Sequence, residues 1–149
     1  MAILQGNFVE DPAYGFPGME ADGELSNIIT RTLESGTLAF GKPVYRGTAD
    51  RGCVTTPAAG ALYGFAIANK GLPVTSARAA DTFAQGDSVR IKNRGKIWVL
   101  PGVNVADGEQ VYVTSAGVIT NVSTSNVIAD GWSFDDTALS GAPVRIVRR

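Results

Sequence analysis

Two segments of the chain repeat one pattern of apolar and polar positions, 22 residues apart. In residues 86–92 and again in 108–114, a glycine is followed three positions later by a valine that begins an alternating apolar run. Alternation with a period of two is typical of a strand with one buried face. The positions that keep this offset are Gly86 and Gly108, Val89 and Val111, Ile91 and Val113, Gly95 and Gly117, and Ile97 and Ile119. The repeat predicts two similar β-hairpins.

Each predicted hairpin turns at three residues that end in glycine, 93–95 and 115–117. Glycine suits that position because it adopts positive φ without steric cost. In the first hairpin, Ile91 is then expected to face Ile97 on the core side. The other side is expected to be solvent-exposed and mostly basic, and it carries Arg90, Lys92, Lys96 and Trp98.

Further short strands are predicted along the chain. The glycine-to-valine spacing recurs at 41–44 and 141–144, and each copy indicates a tight turn that leads into a strand. Residues 26–33 fit either a helical stripe or a strand, and their Ile and Thr content favours the strand. Residues 61–68 are apolar and uncharged, which predicts a central strand, and 144–147 predict the closing one. Residues 123–136, with Trp132 and Phe134, are expected to form a loop.

The predicted fold is all-β: a compact sandwich or jelly-roll-like barrel of about eight short strands. An extended N-terminal arm, residues 1–24, is expected to precede a single β domain, residues 25–149. The arm shows neither helical nor strand periodicity, yet Phe8, Tyr14, Phe16 and Met19 make it too apolar for a disordered tail. Two interpretations stay open: the arm lies across its own sheet, or it binds a neighbouring subunit.

Composition narrows the function. The 149 residues carry a net charge of -1, so nothing draws the whole chain towards nucleic acid. Histidine is absent, which excludes Ser-His and Cys-His catalytic pairs and most zinc sites. Cys53 is the only cysteine, so no intrachain disulfide can form. No apolar run is long enough to span a membrane and the start does not resemble a signal peptide, so synthesis in the cytoplasm is expected.

Two groups of charged residues remain as candidate sites. Asp87 and Glu109 occupy the same repeat position after a turn glycine, and we expect them to cap turns instead of binding metal. The basic face with Trp98 fits edge protection, nucleic-acid contact or a protein interface, and the interface is favoured. The predicted partner-binding residues are therefore Phe8, Tyr14, Phe16 and Met19 of the arm, and Arg90, Lys92 and Trp98 of the hairpin.

Several short motifs occur in an order that resembles the phage structural cement, or capsid decoration, proteins. They are Pro17-Gly18-Met19-Glu20-Ala21-Asp22, Ile28 with Arg31, Phe40-Gly41-Lys42-Pro43-Val44, Gly64-Phe65-Ala66-Ile67, Ala84-Gln85-Gly86-Asp87-Ser88-Val89 and Gly95-Lys96-Ile97-Trp98-Val99. The resemblance covers roughly residues 14–120, and residues 121–149 match less clearly.

The resemblance implies an all-β protein that works as a small oligomer, a dimer or trimer, on the outside of the virion. It would bridge adjacent major capsid protein subunits. From the residues themselves we expect no cofactor, no metal, no nucleic acid and no membrane as partners. One alternative is a carbohydrate- or surface-binding β module of a fibre or baseplate, in which Trp98, Tyr112 and Trp132 form an exposed platform. An enzyme that uses Asp or Lys is the least favoured, because no catalytic constellation can be named.

Overall fold

The computed structural model describes residues 15–57 and 60–149, and it contains eleven β-strands in these ranges. They are β1 (Asn27–Leu33), β2 (Thr37–Ala39), β3 (Pro43–Arg46), β4 (Gly52–Val54), β5 (Leu62–Ala66), β6 (Thr82–Ala84), β7 (Ser88–Val99), β8 (Gln110–Val113), β9 (Ile119–Thr120), β10 (Val127–Phe134) and β11 (Val144–Arg148). The all-β class is confirmed. The strands outnumber the predicted eight because several are only two or three residues long. Phe8 and Tyr14 lie outside the described residues.

The longest strand, β7, joins the two halves of the molecule. Its first half pairs with β1 and β5, and its second half pairs with β11, where Trp98 lies opposite Arg145. The nine-stranded sheet has the order β1-β4-β3-β5-β7-β11-β10-β8-β9, and β1 also pairs directly with β7. A ring therefore closes through β1, β4, β3, β5 and β7, and it removes the free edges that these strands would otherwise expose.

The first predicted hairpin is wrong, since residues 93–95 continue β7 without a turn. The strand finds partners on both sides at this point: Arg94 lies opposite Asn27 of β1, and Gly95 lies opposite Arg148 of β11. Continuing straight therefore satisfies more backbone hydrogen bonds than folding back. A Cβ at Gly95 would lie 3.3 Å from the carbonyl oxygen of Glu24, so the glycine serves a close chain approach there.

The second hairpin is confirmed. Strands β8 and β9 pair with Val113 opposite Ile119, and the amide of Thr114 donates to the carbonyl of Val118 at 2.9 Å. Gly117 has φ +78°, as the predicted turn requires. Local turn chemistry was enough to predict this pair of strands.

The four glycine-to-valine turns are also confirmed. Gly41, Gly86, Gly108 and Gly141 all have φ between +74° and +88°. At each site the residue after the glycine donates its amide to the carbonyl three positions earlier, at 3.4, 3.1, 3.2 and 3.1 Å respectively. A positive φ at the third residue of such a turn is the type II signature. The turns lead into β3, β7, β8 and β11.

Two hydrophobic cores lie along β7. Ile97 and Val99 pack into one core, together with Trp132 and Phe134, while Val89 and Ile91 pack into the other. The predicted loop at 123–136 is therefore wrong, because most of it forms β10. The register of β10 against β8 shifts between Ile128 and Ser133, and this irregularity hides the period of two in the sequence.

Other strand predictions are confirmed. Residues 27–33 form a strand, not a helix, and β5 lies between β3 and β7 in the sheet, as expected of a central strand. Strand β11 closes the chain. Pro43 is the first residue of β3, where no ladder donor is needed.

Candidate partner-binding surface

Residues 15–24, here called the strap, lie on the chain's own domain along the second half of β7. The amide of Gly18 donates to the carbonyl of Trp98 at 2.8 Å, and the amide of Trp98 donates to the carbonyl of Met19 at 2.9 Å. A third bond runs from the amide of Ala21 to the carbonyl of Lys96 at 3.2 Å. Glu20 bridges Ile97 in antiparallel register. The strap thus adds a short strand-like edge to the sheet.

Two glycines allow the strap to lie this close. Gly18 has φ +83°, and a Cβ there would lie 2.8 Å from the backbone nitrogen of Ala68. Gly41 has φ +74°, and a Cβ there would lie 2.8 Å from the nitrogen of Gly18. Any side chain at either position would push the backbones apart. The Pro17-Gly18 and Phe40-Gly41 motifs therefore form one packed contact.

The strap carries carboxylates that meet the lysines of β7. Lys92 is fully buried, and its Nζ donates to Oε1 of Glu20 and, at 2.7 Å, to Oγ of Ser26. Lys96 is 8% exposed, and its Nζ lies 2.8 Å from Asp135, 3.1 Å from Asp22 and 3.3 Å from Glu24. A buried ammonium needs such partners, because leaving it unpaired in a low-dielectric site is costly.

The prediction that Lys92 lies on a solvent-exposed face is therefore wrong, and Lys96 is buried as well. Only Arg90 of the predicted partner-binding cations is exposed, with its guanidinium 3.8 Å from Glu20. Glu20, Asp22 and Glu24 alternate along the strap with the same period as the cations of β7. This matched alternation was the sequence signal that could have predicted the pairing of the strap with β7. It was missed because the two segments lie about 70 residues apart.

Two groups of this cluster, Asp22 and Lys96, have a pKa shifted towards the charged form. The pKa of Asp22 is lowered, chiefly by the hydrogen bond from the amide of Glu24 and also by Lys96, while burial acts in the opposite direction. The pKa of Lys96 is raised, chiefly by Asp135. The two lysines of this face, Lys92 and Lys96, are thus paired with carboxylates of the same chain, while Arg90 and Arg94 are exposed.

Trp98 is half-buried under the strap. A Cβ at Gly15 would lie 2.2 Å from Cδ2 of the indole, so the main chain of the strap packs directly on the ring. On β11, the guanidinium carbon of Arg145 lies 5.7 Å from the ring centre, within cation–π range. Asp136 holds Arg145 in place through Nε at 2.6 Å. Met19, whose carbonyl accepts the amide of Trp98, is half-buried. Phe16 is 38% exposed.

The proposed aromatic platform does not form. Trp132 is 1% exposed and packs edge-on against Phe65, with ring centres 5.0 Å apart. It cannot join Trp98 and Tyr112 on the surface. The part of the fibre-module alternative that depended on Trp132 is therefore wrong.

The repeated acidic residues cap turns, as predicted. Oδ2 of Asp87 accepts the amide of Ala84 at 2.8 Å, and Oε2 of Glu109 accepts the amide of Ala106 at 2.8 Å. Arg78 also pairs with Asp87 and lowers its pKa. Within residues 15–57 and 60–149, no group of three or more potential metal ligands converges. No helix in those ranges is long and apolar enough to cross a membrane.

Sequence comparison gives the family of this all-β chain. A family model described as structural cement protein (E217 gp24/Pam3 gp6) matches residues 4–149. The chain therefore belongs to the phage structural cement protein family, and the resemblance drawn from its motifs is confirmed. None of the curated proteins matches the chain in sequence.

Two solved phage structures share the fold. One belongs to the capsid of Myoviridae phage XM1, with a TM-score of 0.69 and 12% identity, and the match covers 98% of this chain and 97% of that one. The other is the head fibre gp8.5 N base of bacteriophage phi29, with a TM-score of 0.50 and 12% identity, covering 84% of this chain and 95% of that one. At these identities the likeness concerns the fold. The protein has a structural role in a phage particle.

Proposed function

We propose that the protein binds the outer surface of the phage head and bridges adjacent major capsid protein subunits, so that the shell resists internal pressure. The observation that carries this proposal is the family match over residues 4–149. The bridging role requires no catalytic step, cofactor, nucleic acid or membrane. We also propose that copies associate as a dimer or trimer.

The body is suited to transmitting force between subunits. The ring β1-β4-β3-β5-β7 is closed, and β7 continues from it into the second core, so both halves share one unbroken strand. Densely packed protein of this kind deforms little under load. Many copies on a regular shell also make individually weak contacts strong in sum, because each bound site raises the local concentration of the next.

The proposed contacts come from the arm and from the surface around Trp98. Phe8 and Tyr14 belong to the segment ahead of the strap, and Phe16, Met19, Arg90 and Trp98 lie on or beside the strap. Lys92 is assigned a positioning part, because its buried ammonium holds Glu20 and thereby the strap.

Deleting residues 1–14 tests the proposal and leaves the strap in place. A deletion that reached residue 20 would remove Glu20 and leave the buried Lys92 without its carboxylate, so lost binding would be confounded with lost stability. The truncated protein should keep the circular dichroism spectrum of the folded β body but lose co-sedimentation with assembled heads.

Substitution of Leu139 provides the control, because this side chain is 70% exposed and lies outside the arm and strap. Leu139→Ser should co-sediment as well as the unaltered chain. Full occupancy of heads by the truncated protein would contradict the proposed role of the arm.

A further inference from the structure

We propose that an apolar cavity beside the strap receives Phe8 from the arm of a second copy of this chain, so that two copies exchange arms reciprocally. This inference rests on the proposed partner-binding role of the arm and names the site that receives it. The cavity has a volume of about 190 Å³. Its lining residues are Phe16, Pro17, Ala39, Phe40, Gly41, Lys42, Lys70, Asp81 and Leu100.

The size and polarity of the cavity fit a phenyl ring. An apolar cavity of roughly 150 Å³ is enough to hold benzene in a protein interior. The apolar rim is also exposed: Phe16 and Leu100 each leave 38% of their surface accessible. Exposed apolar side chains grouped around a concavity are typical of a docking site.

Charge complementarity selects the arm as the occupant. Residues 1–14 contain Glu10 and Asp11 but no lysine or arginine, so an inserted Phe8 brings two carboxylates close behind it. The cavity wall offers Lys42, which donates to the carbonyl of Gly117 at 3.3 Å and forms no ion pair among the described residues. Lys70 forms an exposed ion pair with Asp81, a weak interaction that a second carboxylate can share, and its Nζ also lies 4.6 Å from the centre of the Phe16 ring.

The position of the arm's root favours a second copy over the same chain. Phe16 and Pro17 line the cavity, so the root of the arm and its receiving site lie on the same side of the molecule. When two copies face each other across a two-fold axis, each root then lies opposite the partner's cavity. Within one chain, Phe8 would have to turn back over a segment in which Pro12 favours extended geometry for Asp11.

Mixing two full-length single variants tests the exchange directly. Asn7→Cys places a thiol next to Phe8, and Leu100→Cys places one at the rim of the cavity. Native Cys53 does not interfere, because it is buried and its pKa is raised to about 11 by desolvation. Treating the mixture with a short bis-maleimide in solution should give a mixed product at twice the 15.5 kDa chain mass.

Two controls make the result specific. Adding Phe8→Asp to the Asn7→Cys chain should reduce the cross-linked product at least tenfold, and Leu139→Cys in place of Leu100→Cys should give none. The inference is overturned if no mixed product forms. It is also overturned if a chain that carries both Asn7→Cys and Leu100→Cys forms only the cross-link within one chain and stays at the monomer mass. The free protein is used, so a failure here is distinguishable from a failure to bind heads.

Discussion

The buried ammonium of Lys92 on β7 is paired with the carboxylate of Glu20, a residue 72 positions earlier in the chain. This contact ties the strap to the strand on which both cores are built. Lys92 is 0% exposed, whereas the side chain of Glu20 is 38% exposed, so water screens part of the interaction.

Glu20→Ala should therefore destabilise the protein by about 1–3 kcal/mol. This is less than the cost of removing one partner from an ion pair in which both residues are fully buried. The double variant Glu20→Ala, Lys92→Met should recover much of this loss, because it leaves no unpaired ammonium. Urea unfolding of the single and double variants measures both effects. Equal stability of the double variant and Glu20→Ala would show that the pairing is not the cause.

Stability should fall in acid. The carboxyls of Asp22, Asp87 and Asp136 have a lowered pKa in the folded chain, through the Glu24 amide, Arg78 and Arg145 respectively. When a carboxyl has a lower pKa in the folded state than in the unfolded state, its charged form stabilises the fold. This contribution is complete above the unfolded-state pKa of about 4, and it is lost as the pH falls through the pKa of the folded state. Lys96, whose pKa is raised, stays charged throughout this range and adds no acid dependence.

The midpoint of thermal unfolding should thus stay nearly constant from about pH 5 to pH 8 and drop below about pH 4. Asp87→Asn should lower stability at pH 7 and flatten the acid drop. Asp50→Asn is the control, because Asp50 is exposed and makes no ion pair in the described part of the chain. An unchanged acid slope in Asp87→Asn would argue against the Arg78 pairing.

Gly64 permits the close approach of β5 to β7. A Cβ at this position would lie 2.0 Å from the carbonyl oxygen of Lys92, a backbone atom that cannot move without shifting β7. Gly64→Ala should therefore destabilise the protein by about 2–4 kcal/mol. Gly23→Ala, where a Cβ would meet nothing within 4 Å, should change it by less than about 0.5 kcal/mol. Similar values for the two variants would contradict the observed packing of β5.

The sequence predicted what depends on local chemistry. The four turns at Gly41, Gly86, Gly108 and Gly141, and the β8–β9 hairpin, follow from residues within a few positions of one another. The all-β class followed because many such turns leave no room for long helices.

The errors concern contacts between distant segments. Residues 93–95 look like a hairpin turn until β1 and β11 are seen to pair on both sides of β7. Lys92 looks exposed until the strap is seen to supply Glu20. Trp132 looked like a loop residue because an irregularity in β10 interrupts the alternation that would have placed it in the core.

The most direct test of the proposed cement role is a reconstruction of the intact phage particle. We predict density for the two-core β body on the outer surface of the head, at junctions between major capsid protein subunits, in a copy number comparable to theirs. Density confined to the tail or baseplate, or a head surface without this protein, would contradict the account.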